Sequence, residues 1–445
     1  MDLEGRDAIN RVSTTGVYFQ KQLIFNMIKE IQIENFKSIQ SLNLELGRLN
    51  VFIGANGSGK SNILEAIAFG SAAMENKLDD EFLANRGFRT TEPQQLKSGF
   101  SKESLKKQLV FSWSNEKTIW RLTAQRSKNY YGKWKVEGSI ESVIKKQKGM
   151  VAKMIEDGMQ NKTLVTEMRK AASEADEEPI KRFLLAYSDM IDYVGVDKLN
   201  AGNIIKGMPA LFDNQLSEKA FEAADSFLNF VIYAPENYFL RRFEEEAQIK
   251  PLGFRGEGLF KLLTIIATEQ PQKIEEISNN LQLLEWFSGF EIPNNLKYSE
   301  RRLDFNDIFL QNGLKKFDQK NVNEGALFLL FYFTLFISDY TPKFFAIDNI
   351  DNAMNPKLGR KLVKILAKLA VQHDKQVILT THNPAILDGL NLNDPEQRLF
   401  VVYRDLDGGT SVRRIFKKEP ENGTEPLPLS EQFLRGYLGG LPDNF

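Results

Sequence analysis

The sequence predicts an α/β protein in which a mixed β-sheet packs against a mostly parallel one, with a helical insertion in the chain. Two observations carry this prediction. An apolar strand over residues 49–53 leads into a glycine-rich loop and then into residues 61–74, whose apolar positions have helical spacing. Two further apolar strands, 343–347 and 376–380, are separated by one helical segment, 357–373. This strand–helix–strand order is typical of a parallel sheet with helices on its faces.

Alternation of apolar and polar residues predicts further strands around this core. They cover residues 27–36, 42–46, 108–113, 117–125, 133–138, 228–233, 399–403 and 411–416. The last two are expected to form a hairpin around the turn at 405–409. Helical spacing predicts helices over 257–269, 274–289 and 324–338.

The character of the sequence changes near residue 140, and this change sets the predicted domain boundaries. Residues 142–173 and 179–194 are charged and helical, and strand formers return only at 228. The predicted organisation is an N-terminal extension over 1–26, an N-terminal lobe over 27–140, a helical insertion over 141–227, a C-terminal lobe over 228–420 and a tail over 421–445.

Composition narrows the class of protein. The chain is 42% hydrophobic and 26% charged, which is typical of a globular protein with a substantial core. No run of ~18 apolar residues is present, so no membrane span is expected, and the charged N-terminus does not resemble a signal peptide. The absence of cysteine excludes disulfides and favours the cytoplasm, and two histidines are too few for a His-rich metal site. A net charge of −1 gives no global signal for nucleic-acid binding.

The strongest functional signal is a glycine-rich loop that matches the phosphate-binding pattern and lies between a strand and a helix. It reads Gly54-Ala55-Asn56-Gly57-Ser58-Gly59-Lys60-Ser61, and with Asn62 it supplies the predicted nucleotide contacts. Glycines allow backbone N–H groups to approach phosphates, and the helix N-terminus adds favourable partial charge. Lys60, expected on an exposed surface, would reach the β- and γ-phosphates, and Ser61 would ligate Mg²⁺. The alternative is a glycine-rich turn that matches by chance.

Two polar residues follow apolar strands farther along the chain. Asp348 ends the run Phe344–Ile347, where a carboxylate can hold the hydration shell of Mg²⁺. His382 follows residues 377–381, one helix later, and could contact the γ-phosphate. The alternatives are an ordinary core strand that ends in a turn, and a structural histidine.

Together these motifs resemble an ABC-class P-loop ATPase of the RecF/SMC/OLD-like type, a group that includes ATPase subunits of anti-phage systems such as Septu and PARIS. Residues 31–39, 251–259 and 434–442 are also similar to segments of that family. The resemblance implies a two-lobed ABC-type ATPase head that uses ATP and Mg²⁺. It also implies that the turn containing Asn35, Phe36 and Lys37 lies beside the nucleotide base.

The same resemblance assigns a signature motif to Asn323, Glu324 and Gly325, shortly before the second acidic strand. Asn323 is a good N-cap, and the N–H groups at such a helix start can face a phosphate. In the family that phosphate belongs to ATP on another subunit, which implies a head-to-tail homodimer or a higher homo-oligomer. The alternative is an N-capped core helix.

The sequence departs from the family at the position of the catalytic glutamate. Asn349 stands there, and an amide can orient a water but cannot accept its proton. Because Asn349 cannot act as the general base, the hydrolysis of ATP is expected to be slow. Asp351 matches a second acidic position of the family and could accept the proton instead. Gln94 and Gln95 are candidates for the family's Q-loop by position only.

Two other features suggest activities that we discount. Asp405 and Asp407 have the spacing of a TOPRIM nuclease motif, but their Asp-Gly-Gly context is better explained as a hairpin turn. Lys145, Lys146, Lys148 and Lys153 form a basic segment, for which a solvated helix face is the simpler interpretation than a DNA or protein contact. No nuclease activity of the chain itself is expected.

The resulting functional hypothesis is an ATP-binding, slowly hydrolysing ABC-type ATPase that dimerises around ATP and regulates a separate effector protein. The anti-phage setting comes from the resemblance alone. The alternatives are a RecF-like DNA repair ATPase that binds DNA directly, and a nucleotide-dependent scaffold that does not hydrolyse ATP.

Overall fold

The computed structural model describes residues 27–115, 118–126, 134–142, 226–243, 252–293, 297, 300–311, 316–417 and 427–441. The chain divides into two compact units. One consists of residues 27–113, 121–139 and 226–445, and the other of 1–26, 114–120 and 140–225. The predicted N-terminal extension and nearly all of the predicted helical insertion lie outside the described residues.

The N-terminal part of the chain forms a five-stranded sheet of order β2-β1-β4-β5-β6. Its strands are β1 Glu30–Phe36, β2 Ile39–Glu45, β4 Leu109–Ser114, β5 Thr118–Arg126 and β6 Trp134–Ser142. Strands β1 and β2 are antiparallel, and Phe36 pairs with Ile39 across a tight turn at Lys37 and Ser38. Strand β2 therefore begins three residues earlier than the predicted 42.

A six-stranded sheet of order β14-β13-β3-β12-β11-β7 forms the centre of the fold. Its strands are β3 Leu49–Ile53, β7 Ile232–Tyr233, β11 Phe344–Ile347, β12 Gln376–Thr381, β13 Gln397–Arg404 and β14 Thr410–Ile415. All neighbouring pairs are parallel except β13 and β14, which form the predicted hairpin. Because the carboxyl ends of parallel strands meet at one edge, the polar residues after β3, β11 and β12 are brought together there.

Eight α-helices are assigned among the described residues. They are α1 Lys60–Met74, α2 Asp80–Ala84, α3 Asn237–Arg241, α4 Leu259–Glu269, α5 Pro271–Leu281, α6 Glu324–Ile337, α7 Pro356–Gln372 and α8 Leu429–Leu434. Helix α6 is apolar on every side, and all its residues from Ala326 onward are buried. No helix in the described part of the chain combines the length and apolar character needed to span a membrane.

The helix predicted over 274–289 is wrong at its C-terminal end. Helix α5 stops at Leu281, and Phe287–Glu291 is a strand, β8, of a three-stranded antiparallel sheet with β9 Asp304–Asp307 and β10 Lys316–Asp318. Phe287 and Phe290 are buried and contact Phe305 on β9. These contacts come from distant residues, so the local spacing of apolar residues could not reveal the strand.

Candidate nucleotide-binding site

The glycine-rich loop connects β3 to α1 at the carboxyl edge of the central sheet. Gly57 and Gly59 have positive φ angles of 75° and 110°, which glycine adopts without strain. A Cβ on Gly59 would lie 2.0 Å from Thr410 Oγ1, and one on Gly54 would lie 2.1 Å from the Val402 carbonyl oxygen. The loop is thus pressed against β13 and β14, and larger residues do not fit at Gly54 and Gly59.

Lys60 begins α1 and turns its side chain back over the loop. Its Nζ donates to the carbonyl oxygens of Gly54 and Ala55 at 2.7 and 3.0 Å. The residue is only 5% exposed, so the expectation of a lysine on an exposed surface is wrong. Burial lowers the pKa of Lys60 to about 8, and Asp348 and Asp351 oppose this shift.

Ser61, in the first turn of α1, and Asp348, directly after β11, lie in contact although they are far apart in the sequence. The Ser61 hydroxyl donates to Asp348 Oδ2 at 3.3 Å. Thr380, at the end of β12, donates to Asp348 Oδ1 at 2.5 Å and accepts the Asn349 N–H at 2.9 Å. A hydroxyl and a carboxylate are oxygen ligands that Mg²⁺ accepts, with phosphates and water supplying the rest. The donor set that the sequence predicts is therefore assembled in one place.

Asn349 and Asp351 lie in the loop after β11. Asn349 has a φ of 56°, a left-handed conformation that asparagine tolerates better than most residues. Asp351 Oδ1 accepts the Thr381 hydroxyl at 2.7 Å. His382 has one side open to solvent and the other against the protein; this partial desolvation, and secondarily the nearby Lys60 ammonium, holds its pKa below the ordinary histidine value. All three residues thus lie at the same edge of the sheet as Lys60.

The turn between β1 and β2 contacts α1, but not in the way that a base site made of side chains requires. Phe36 is fully buried among Phe69, Phe88 and Phe111. Asn35 is buried, and its Nδ2 donates to three carbonyl oxygens in residues 104–108. The Phe36 ring is therefore part of the core, whereas Asn35 Oδ1 is buried without a hydrogen-bond partner.

Lys37 and Ser38 connect the same turn to the helix that follows the loop. Lys37 Nζ pairs with the buried Glu65 carboxylate of α1 at 2.5 Å, and Ser38 Oγ accepts from Asn62 Nδ2 at 2.6 Å. In the loop itself Asn56 and Gly57 are exposed, whereas Ser58 is buried and its Oγ has no hydrogen-bond partner. An unpaired buried hydroxyl at this position is compatible with a ligand group that the loop can accept.

Several residues near the loop escaped the sequence analysis. Arg89 Nε pairs with Glu65 Oε1 at 2.5 Å, and this hydrogen bond raises the pKa of Arg89, with a smaller contribution from Asp348. Arg404, at the end of β13, donates from Nε to the Gly57 carbonyl oxygen at 2.9 Å. Thr380 and Thr381 hold the two carboxylates. Of these contacts, the sequence offered one signal: Glu65 is a charged residue within the apolar face of α1, which indicates a buried carboxylate that needs a cationic partner.

The predicted signature residues stand at the start of α6. Asn323 is its N-cap, and its Oδ1 accepts the Ala326 N–H at 2.9 Å. Asn323 and Glu324 are exposed, and a Cβ on Gly325 would lie 3.1 Å from the Ala353 carbonyl oxygen. The start of the helix therefore abuts the loop that follows Asp348.

The remaining candidates have different outcomes. Gln94 and Gln95 are exposed in a 3₁₀ helix, Pro93–Leu96, beside the β1–β2 turn, and their Q-loop role stays a prediction. Asp405 accepts the N–H groups of Asp407 and Gly409 and so closes the β13–β14 turn, as the hairpin interpretation expects. The basic segment from Lys145 to Lys153 lies outside the described residues.

A comparison with known protein families covers the predicted site residues from Asn35 to His382. Residues 27–395 match the family described as the RecF/RecN/SMC N terminal domain. The chain belongs to this family. Its N-terminal motifs, the loop at Lys60 and the strand ending at Asp348 therefore lie within the ATPase head domain of a RecF/SMC-type protein, with the α/β fold predicted from the sequence.

Individual relatives match only short segments of the chain. An uncharacterised protein of Methanocaldococcus jannaschii is 43% identical over 68 residues, which is 14% of this chain and 31% of that protein. RecF of Clostridioides difficile is 41% identical over 54 residues, 11% and 15% of the two chains. The OLD nuclease of Thermus scotoductus is 44% identical over 41 residues, 9% and 8%. The chain thus spans less than a third of each of these relatives.

Solved structures similar to the head include two SMC head domains. One, from Pyrococcus furiosus, has an extended coiled coil and is bound to the C-terminal domain of ScpA; it is 14% identical, covers 88% of this chain and 96% of its own, and has a TM-score of 0.45. The other, from Thermotoga maritima, is 14% identical, covers 87% and 99%, and has a TM-score of 0.41.

Proposed function

We propose that the chain binds ATP with Mg²⁺ at the carboxyl edge of the central sheet and hydrolyses it slowly. The observation that carries the proposal is the 3.3 Å contact between Ser61, at the start of α1, and Asp348, at the end of β11. Lys60 lies within electrostatic range of Asp348, so one cation and one magnesium-binding pair converge on the loop. This arrangement suits a triphosphate, since its charge needs both a cation and a metal.

Each residue then has a defined part. Lys60 and the N–H groups of the loop would bind the phosphates, and Ser61 and Asp348 would hold Mg²⁺, which neutralises phosphate charge when bound. Asn349 would orient the attacking water, and His382 would contact the γ-phosphate. Because Asn349 cannot take up a proton, that proton would pass to the phosphate or to Asp351.

ATP would also drive self-association. Asn323, Glu324 and Gly325 expose the start of α6, where free N–H groups can bind a phosphate carried by a second copy of the chain. In a head-to-tail dimer, each of two ATP molecules would lie between the glycine-rich loop of one subunit and the start of α6 of the other. The closed dimer would regulate a separate effector protein, and we place this activity in anti-phage defence.

The first experiment measures phosphate release from Mg-ATP and ATP-dependent sedimentation. Lys60→Ala should abolish ATP binding, and Asp348→Ala should abolish hydrolysis that depends on Mg²⁺. Glu275→Gln, which removes an exposed carboxylate on α5, is the control and should behave as the unmodified protein does. Wild-type levels of phosphate release in Asp348→Ala would contradict the site.

The second experiment addresses the effector. Cells that produce the chain together with the protein encoded beside it should resist phage infection, and Lys60→Ala should remove that resistance. DNA binding by the chain alone that weakens with salt, without any effect on infection, would favour a RecF-like repair role instead.

A further inference from the structure

The C-terminal tail, defined here as residues 429–441, reaches back to the glycine-rich loop. The Gly440 carbonyl oxygen accepts the Ala55 N–H at 2.9 Å. Gly440 has a φ of 78°, and a Cβ there would lie 2.4 Å from Val401 Cγ1 and 3.8 Å from the Gly54 Cα. Glycine is therefore required for this approach, because both the backbone conformation and the space exclude a side chain.

The tail is hydrogen-bonded to the same peptide unit that accepts the Lys60 ammonium. The carbonyl of the Gly54–Ala55 peptide accepts the Lys60 ammonium at 2.7 Å, and the N–H of the same peptide donates to Gly440. A peptide unit is planar, so fixing its N–H also fixes the direction of its carbonyl oxygen. The tail thus acts on Lys60 through one rigid plane.

The tail is anchored independently at its other end. Ser430 donates its N–H and its hydroxyl to the Asp388 carboxylate at 3.0 and 2.6 Å. Phe433 and Leu438 are buried, and the Leu438 carbonyl oxygen accepts from Arg413 on β14. Asp388 belongs to the 3₁₀ helix Pro384–Gly389, which follows His382. The tail therefore joins the segment after His382 to the beginning of the loop.

We propose that Gly440 is a positioning residue for Lys60 and that docking of the tail and binding of ATP stabilise each other. The inference rests on the proposed ATP site, where Lys60 binds the phosphates. When the tail is undocked, the Gly54–Ala55 peptide is free to rotate and Lys60 loses the nearer of its two fixed acceptors, the Gly54 carbonyl oxygen. By thermodynamic linkage, ATP must then favour the docked tail as strongly as the docked tail favours ATP.

The first test does not need nucleotide. Acylation of Lys60 by an amine reagent, followed by mass spectrometry, reports how firmly the ammonium is held. Gly440→Ala should raise the labelling rate of Lys60. Gly436→Ala is the matched control, since Gly436 has a similar φ of 75° but no atom within 4 Å of its added Cβ. It carries the same backbone strain and should leave Lys60 labelling unchanged.

The second test measures ATP affinity by calorimetry. Gly440→Ala should weaken binding by about tenfold, the usual cost of misplacing one charge-assisted hydrogen bond. Gly436→Ala should bind as the unmodified protein does. Should Gly440→Ala fail to fold, Ser430→Ala loosens the tail from its far end and should change labelling and affinity in the same directions.

The reciprocal effect is visible in the unmodified protein. Arg435 is about half exposed in the tail, with 51% of its side chain accessible, so trypsin can cut there when the tail undocks. ATP should slow this cut, as followed by mass spectrometry. Equal Lys60 labelling in Gly440→Ala and Gly436→Ala would overturn the inference. An unmodified protein that binds no ATP would instead overturn the proposed function and leave the labelling result standing.

Discussion

At the scale of single residues, Thr380 connects Asp348, the proposed magnesium ligand, to Asn349 in the loop that follows β11. Its hydroxyl donates to Asp348 and accepts from the Asn349 N–H, and the residue is fully buried. One hydroxyl therefore pairs with both Asp348 Oδ1 and the Asn349 N–H. The orientation of Asp348 depends on it.

Removing this hydroxyl should weaken magnesium binding as well as lower the stability of the fold. Thr380→Val keeps the shape but leaves Asp348 Oδ1 and the Asn349 N–H unpaired, which we expect to cost about 1–3 kcal/mol in the free energy of unfolding. The Mg²⁺ concentration for half-maximal phosphate release should rise. Thr380→Ser retains the hydroxyl and should need the same Mg²⁺ concentration as the unmodified protein. Equal Mg²⁺ requirements in Thr380→Val and Thr380→Ser would show that the hydroxyl does not contribute to magnesium binding.

The lowered pKa of Lys60 predicts how ATP affinity depends on pH. In the free protein, with a pKa of about 8, Lys60 is half deprotonated near pH 8, and only the ammonium attracts phosphate. ATP is fully ionised in this range, since its second phosphate pKa lies near ~6. Affinity should hold up to about pH 8 and then fall with rising pH. Calorimetry across this range checks it, with Lys60→Arg, whose guanidinium stays charged, expected to show no such fall.

Asn349 predicts slow turnover that a carboxylate should accelerate. A positioned general base usually contributes ~10²–10⁴-fold, so Asn349→Glu should raise the single-turnover rate. The left-handed backbone at Asn349 opposes this change, because asparagine tolerates such a conformation better than glutamate does. Asp351→Asn should lower the residual rate if Asp351 accepts the proton. Rates that neither change alters would mean that another residue activates the water.

At the scale of elements, the start of α6 makes a separate prediction about stability. Asn323 caps this helix through the Ala326 N–H, and replacing such a cap by alanine typically costs ~1 kcal/mol. Urea unfolding of Asn323→Ala should show this loss. Asn323→Ser keeps a capping oxygen and should be close to the unmodified protein. If Asn323→Ser also supports ATP-dependent dimerisation and Asn323→Ala does not, the capping hydrogen bond is what holds the predicted signature in its binding conformation.

The elements also show which predictions were possible from sequence. The loop between β3 and α1 is encoded by adjacent residues, so its glycines and Lys60 could be recognised directly. The sheet of β8, β9 and β10 was missed because its short strands are stabilised by contacts among distant phenylalanines. The exposed position expected for Lys60 was wrong for a related reason, since nothing in the local sequence shows that β13, β14 and the tail cover the loop.

At the scale of the whole molecule, one buried cation makes stability depend on pH. Lys375 is fully buried, and its Nζ donates to the carbonyl oxygens of Ser338 and Thr341 at 2.8 and 3.0 Å. Burial, and secondarily the Lys343 charge, lowers its pKa from 10.5 to about 7. Between these two pH values the unfolded chain binds a proton that the folded chain does not. Stability should therefore rise with pH in this window.

The measurement is urea unfolding at several pH values between 7 and 10. Lys375→Met removes the titrating group, so the rise in the free energy of unfolding should be smaller than in the unmodified protein. An equal rise in both proteins would assign the dependence to other groups. Lys343→Met is a useful control, because removing its charge should bring the pKa of Lys375 back toward its ordinary value and narrow the window.

The order of strands in the central sheet has a consequence for synthesis of the protein. Strand β3 pairs with β12 and β13, and Asn50 bonds to Val377 across 327 residues of sequence. At ~5–20 residues per second, a ribosome needs on the order of tens of seconds to make the intervening chain. During this interval the apolar Leu49–Ile53 has neither neighbour. We expect the nascent chain to depend on chaperones until its C-terminal part emerges, and premature termination to leave an aggregation-prone fragment.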